Sequence, residues 1–195
     1  MTVFATSARG WSRRSWLACS LSAWGFATSP GAAAESLVLR DLGDEWQGLP
    51  LRGRAFYRFW GLEIYEASLW LPTQAGLAWS SHNLVLSLLY RRQFAAQDIA
   101  ERSVQEMQLQ GSLAPNVARQ WQRQLAEVLT DVRPGERLTA AYVPQRGVRF
   151  WHHARDVTPL GQLEDVTLAS KFIGIWLAPS TSAPALRQAL LGLPS

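Results

Sequence analysis

The chain has a single cysteine, Cys19, in 195 residues, and it lies in an N-terminal stretch that reads as a removable leader. The remainder has none, which excludes structural disulfides, thiol catalysis, zinc–thiolate sites and covalent CxxCH haem attachment together. An excess of one charge is also missing from the main body. The formal net charge is +4, but three of the 19 Lys and Arg (Arg9, Arg13, Arg14) fall in the first 34 residues, leaving 16 basic against 15 acidic residues from Glu35 onward. A nucleic-acid binder keeps its positive charge in the folded part, so no nucleic-acid partner is expected. No apolar run reaches the roughly 20 residues that cross a bilayer, and no membrane span is expected. There is no Gly-rich phosphate loop, no GxSxG and no paired-carboxylate motif. Asp44-Glu45 and Glu164-Asp165 are isolated loop pairs, solvated or helix-capping, the second well placed to complement the dipole of a helix starting at Val166. Of the three histidines, His152 and His153 are adjacent on a strand and diverge, and His82 stands alone. No metal site and no cofactor are expected, haem on one axial histidine being the minor exception.

What is present begins with the leader. Residues 1–34 combine a basic stretch ending at Arg13-Arg14, an apolar run from Ser15 to Ala27 and a small-residue end at Ala32-Ala33-Ala34. This is the pattern of a cleavable signal peptide, with cleavage after Ala34 and a periplasmic product. Ser12-Arg13-Arg14-Ser15-Trp16-Leu17 is similar to a twin-arginine signal, and the general secretory route is the alternative. Cys19 is preceded by too little apolar sequence for a lipoprotein site.

From Glu35 to Ser195 one domain is expected, with hydrophobic residues at 48% of the whole chain against 17% charged, the balance of a packed core. Leu37–Arg40 reads as a short edge strand. Leu51–Leu71 is an aromatic and β-branched run interrupted at Gly61 and closed by Pro72, hence two strands with a bend or hairpin. Leu84–Tyr90 is apolar at nearly every position, as in a strand covered on both faces. Ala95–Gln110 lacks Gly and Pro and reads as helix; Leu113, Val117, Trp121, Leu125 and Leu129 recur every four residues and mark a second. Arg137–Val143 and Val148–His152 alternate as a hairpin. Val166–Leu177 and Ala183–Leu191 return to helix. The order predicts an α+β domain, an antiparallel sheet with helices on one side.

Three blocks carry a resemblance. Arg58 to Pro72 fits R-x-x-x-x-x-[VI]-Y-x-A-x-L-[YW]-x-P. Gly135-Glu136-Arg137-Leu138 with Tyr142-Val143-Pro144 and Gly147 fits G-[DE]-x-L … Y-x-P-x-x-G. Phe172 to Leu177 with Leu186, Leu190, Leu191 and Gly192 fits F-x-x-I-W-L … L-x-x-x-L-L-G. In this order they resemble the bacterial chalcone isomerase-like proteins over about residues 37–192. The resemblance implies an open-faced β-sandwich: a large antiparallel sheet packed on a helical layer, with a cleft between them. In plant relatives that cleft cyclises chalcones or holds a fatty acid, and some relatives of the fold bind haem.

Cyclisation adds a phenolate to an enone within one molecule and needs a cation on the phenolate and donors on the carbonyl. Arg58 matches the family's cleft arginine, with Arg54 close enough to compete; otherwise Arg58 is a strand arginine with its head in solvent. Tyr65 stands where plant enzymes carry an active-site threonine. Tyr90, Arg91 and Arg92 end a strand at the expected cleft mouth, where only one of the two arginines can face inward. The plant-type tyrosine and asparagine have no counterpart: Phe94–Val104 offers Gln97 and Asp98 but neither residue type. No catalytic residue is therefore assigned. The expected function is non-catalytic binding of a small apolar or anionic ligand, a fatty acid or an aromatic, by Arg58, Tyr65, Tyr90 and Arg91 or Arg92. Alternatives are an isomerase or lyase of the chalcone isomerase type, and a haem-binding or interaction protein. Seven tryptophans follow the leader (Trp46, Trp60, Trp70, Trp79, Trp121, Trp151, Trp176), which suits a cleft for a flat or greasy ligand.

Overall fold

A computed structural model of the protein describes residues 38–193; the leader and its cleavage site lie outside them. Six strands form one antiparallel sheet in sequence order: β1 (Leu51–Phe59), β2 (Leu62–Trp70), β3 (Leu84–Tyr90), β4 (Arg137–Val143), β5 (Gly147–His153) and β6 (Val157–Leu163). The connection from β3 to β4 carries helices α1 (Ala96–Gln108) and α2 (Pro115–Val128), and α3 (Val166–Leu177) and α4 (Pro184–Leu191) follow the sheet. This is the α+β arrangement expected, an open sheet with α1 to α4 on one face.

The helix ends show why the layer sits where it does. Ala95 has no side chain to cap α1, and Asp131 does so from beyond α2, its carboxylate accepting from the Ala96 N–H at 2.8 Å. Phe94 and Val132 bridge beside it, so α1 begins against the end of β3. Asp165 caps α3 as expected, accepting from the N–H groups of Thr167 and Leu168 at 2.9 and 3.0 Å. Its other oxygen accepts from the Trp121 indole at 3.2 Å, which ties α2 to the start of α3. Proline opens both α2 and α4, where its missing N–H is not needed. At Gly53 the backbone of α4 comes so close to β1 that a Cβ would stand 2.0 Å from the Ala189 carbonyl oxygen. Only glycine permits that approach.

Both faces of the sheet are covered. Inward-facing Ala67, Leu69, Leu86, Leu88, Leu138, Ala140 and Phe150 pack against Val104, Leu125, Leu168, Phe172 and Trp176 of the helices. The opposite face carries Trp70, Val85, Ala141 and Trp151, covered by Val38, Leu39, Leu42 and Trp46. The edge strand expected at Leu37–Arg40 is corrected here: residues 38–40 are helical, and Val38 and Leu39 lie over the sheet instead of extending it. Leu37 is outside the described residues. The sheet also has a strand that the sequence pattern did not signal. β6 contains Pro159 and Gly161, residues that weaken a strand pattern, and it is tolerated because it is an edge strand whose residues are mostly exposed.

Candidate functional site

Between the sheet and the helices lies a cavity of about 300 Å³. Its walls come mainly from strand residues of one parity (Tyr57, Tyr65, Leu86, Leu88, Tyr90, Leu138, Ala140, Phe150), with Ile64 and Thr139 of the other parity also touching it, and from Phe94, Ile99, Phe172, Ile175, Trp176 and Leu186 of the helical side. Successive strand side chains point to opposite faces, so one register decision places all of the inward strand residues together.

The aromatic wall is ordered by ring contacts. Tyr57 stacks on Tyr65 with centroids 5.1 Å apart, Tyr90 meets Tyr65 edge-on at 5.7 Å, and Phe94 lies 5.9 Å from Tyr90. The Trp176 indole N–H donates to the Tyr65 hydroxyl at 2.9 Å. With its oxygen accepting that bond, the Tyr65 O–H is left to donate into the cavity. Burial pushes the phenols of Tyr65 and Tyr90 well above the usual tyrosine range; for Tyr65 the Trp176 bond offsets part of the effect. Both are neutral donors at physiological pH, not phenolate bases.

Polar groups converge at one end of the cavity, on α1. Arg102 donates from Nη2 to Glu106 Oε1 at 2.5 Å, and the Ser182 hydroxyl donates to Glu106 Oε2 at 2.6 Å. The Glu106 side chain is 9% exposed and that of Arg102 54%. Arg102 therefore stands at the solvent-exposed side of this group, with one nitrogen on Glu106. Asp98 and Ser103 complete this rim.

Of the residues expected to hold a ligand, the structure brings Tyr65 and Tyr90 into the cavity wall. Arg58, Arg91 and Arg92 do not line it. Arg58 follows inward-facing Tyr57, points to the opposite face and donates to Glu63 at 2.6 Å. Arg91 donates to Glu66 Oε2 at 3.3 Å on that same outer side, where Arg54 also meets Glu66 at 3.2 Å. Arg92 is exposed in the turn after β3. Among the described residues, Arg102 is the basic side chain that lines the cavity. The sequence carried a signal for it: Ile99, Ser103 and Glu106 follow one helical stripe, and a carboxylate on the buried stripe of α1 demands a charged partner such as Arg102.

The histidines stay out of the site. His152 Nε2 lies 3.0 Å from Glu136 Oε2, and His153 faces the outer side near Asp41. No histidine lines the cavity, so its residues do not fit an axial haem ligand of that kind, and no group of three or more His, Cys, Asp or Glu forms a metal cluster among the described residues.

The family model for chalcone isomerase-like proteins matches residues 40–192. The chain belongs to the chalcone isomerase-like family. The match covers nearly all of the described fold, from the turn before β1 through the end of α4. Among solved structures, this chalcone isomerase-like protein is similar to a fatty-acid binding protein of Arabidopsis thaliana. Identity is 9% with a TM-score of 0.53, over 72% of this chain and 85% of that one. At that identity the likeness establishes the fold alone. No curated protein matches the chain.

Proposed function

We propose that the protein binds a small apolar ligand with a polar, anionic head in the cavity between sheet and helices, without transforming it. The observation that carries this reading is the division of the cavity: apolar side chains over most of its wall, polar groups gathered at the Arg102 end. Such a pocket takes up a tail by hydrophobic burial and orients it through a few polar contacts. Arg102 is suited to the head because it stays charged and has donors beyond the one used on Glu106. The volume sits at the lower end of the usual range for ligand pockets, about 300–1,000 Å³, which favours a medium-length acyl chain or a single flat aromatic system. The Arabidopsis neighbour is a fatty-acid binding protein, which is compatible with this class of ligand. The tyrosines argue against catalysis, since burial holds them protonated and unsuited to act as bases. We further infer export to the periplasm, supported by the three-part leader; an intact Met1 on the soluble protein would overturn that part.

The test is binding of anilinonaphthalene sulfonate, followed by its fluorescence, to the wild type and to Ala140→Phe. Ala140 is 6% exposed and lines the cavity from β4, so the larger ring occupies the ligand's space. Loss of probe binding with unchanged circular dichroism is expected. Equal binding by the folded variant would place the probe elsewhere and sink the reading. Native mass spectrometry of protein from its own host then identifies the ligand by mass.

A further inference from the structure

Of the eight large apolar side chains exposed among the described residues, four (Phe56, Phe59, Trp60, Leu62) lie toward the tip of the β1–β2 hairpin. Trp60 is 91% exposed. It also adopts φ +49°, followed by Gly61 at +76°. Two successive positive φ values make the tight hairpin turn in which asparagine or glycine at the first position is free of strain. The chain instead holds its most exposed indole in this disfavoured conformation, stacked on Phe59 with centroids 5.8 Å apart. A backbone outlier that presents an apolar side chain to solvent gains nothing for folding and points to a contact made outside the molecule.

Arginines rim this tip, each resting on a ring. Arg58 and Arg91 lie 5.5 and 5.6 Å from the centroid of Phe56, and Arg102 lies 5.9 Å from that of Phe59. Each also meets a glutamate, Glu63, Glu66 and Glu106 respectively, but through a single nitrogen, so every fork keeps further donors for another acceptor. An indole and neighbouring apolar side chains at a convex tip, with arginine forks behind them, match the layers of a phospholipid surface: acyl boundary, then phosphates. The tip is too small for a stable dimer. Its exposed apolar surface is on the order of 300–400 Å², against about 800 Å² per partner in a standard interface.

We propose that the β1–β2 hairpin tip docks the protein on a phospholipid bilayer, inserting Trp60, Phe59 and Leu62 at the interface and setting their arginine rim on lipid phosphates. The proposal rests on the cavity reading in one respect. Arg102 lines the cavity and touches Phe59, so docking brings the mouth to the membrane, where apolar ligands partition.

Sedimentation with vesicles of phosphatidylethanolamine and phosphatidylglycerol tests it. The wild-type protein co-sediments, and Phe59→Ser/Trp60→Ser partitions at least about tenfold less. Leu77→Ser, which removes another exposed apolar side chain beyond the far end of β2, binds as the wild type does. Acyl-brominated lipids quench a component of the tryptophan fluorescence that disappears in Trp60→Phe while that variant still sediments. Absence of vesicle binding by the wild type, equal binding by the double serine variant, or a wild-type dimer that this variant dissociates would each overturn the proposal. Anilinonaphthalene sulfonate binding in vesicle-free buffer is retained by the double variant, so failure of docking and failure of the cavity reading are told apart.

Discussion

Replacing Arg102 by methionine keeps the length and the apolar stem of the side chain but removes its charge. If Arg102 holds an anionic head, the variant loses a charge-assisted hydrogen bond in a partly desolvated mouth, about 1.5–3 kcal/mol, or roughly 10- to 150-fold in affinity. A second effect acts in the same direction. Glu106, 9% exposed, is left with only Ser182 as partner, and its carboxylate then repels the incoming anion. The fold should lose about 1–3 kcal/mol, because Glu106 keeps only the Ser182 hydroxyl as partner for a mostly buried carboxylate. The ion pair itself contributes less than that loss, since the Arg102 side chain is 54% exposed and screened by solvent. The assay is calorimetric titration with decanoate and with decanol, which share a tail and differ in head charge. Decanoate affinity should fall at least tenfold in Arg102→Met while decanol affinity changes less than about threefold. In Arg102→Met/Glu106→Gln, removal of the repulsion should recover part of the decanoate loss. Equal losses for acid and alcohol, or no loss for either, would show that Arg102 does not read the head group.

Other outcomes follow from particular contacts. Gly53→Ala places a Cβ against the Ala189 carbonyl oxygen and should cost about 2–3 kcal/mol, read as a lower urea midpoint with an unchanged slope. His153 has its pKa lowered to about 4 from 6.5 by burial and then by Arg137 and His152, with Asp41 opposing. The unfolded chain therefore takes up a proton that the folded one refuses, and stability falls as pH drops from about 6.5 to about 4, by up to roughly 3 kcal/mol. In His153→Asn the denaturation midpoint should lose this part of its pH dependence between those limits; an unchanged pH profile would refute it. Chalcone cyclisation in the presence of the protein should proceed at the spontaneous rate, measured by loss of the chalcone absorbance. A rate increase abolished by Tyr65→Phe would establish catalysis instead.

Local pattern was enough for most of the elements. The unbroken apolar run of β3, the four-residue recurrence from Leu113 to Leu129 and the interruption at Gly61 each reflect a period or a break that short-range geometry imposes. The three blocks that resemble the chalcone isomerase-like proteins lie within the stretch matched by the family model. The place of Tyr65 and Tyr90 in the cavity wall was within reach of the sequence, Tyr65 through the resemblance and Tyr90 as the end of an apolar strand. Which arginine meets the cavity was not legible, for a physical reason. The face of a strand is read from the contrast between an apolar and a polar side, and here that contrast is blurred. Val38, Leu39, Leu42 and Trp46 cover the outer face, so Trp70, Val85, Ala141 and Trp151 are apolar there too. Near Arg58 the contrast is blurred by aromatics in both phases, exposed Phe56 lying beside Arg58 and Tyr57 in the cavity wall, so only the assembled structure decides that Tyr57 points in and Arg58 out. The mouth itself belongs to tertiary structure in a stronger sense. Arg102 and Glu106 form an ordinary i,i+4 helix pair by sequence, and Ser182 is 76 residues further on. They become one polar rim only because Asp131 and Asp165 fix the helix ends over the sheet, leaving a space between layers that local propensity does not encode.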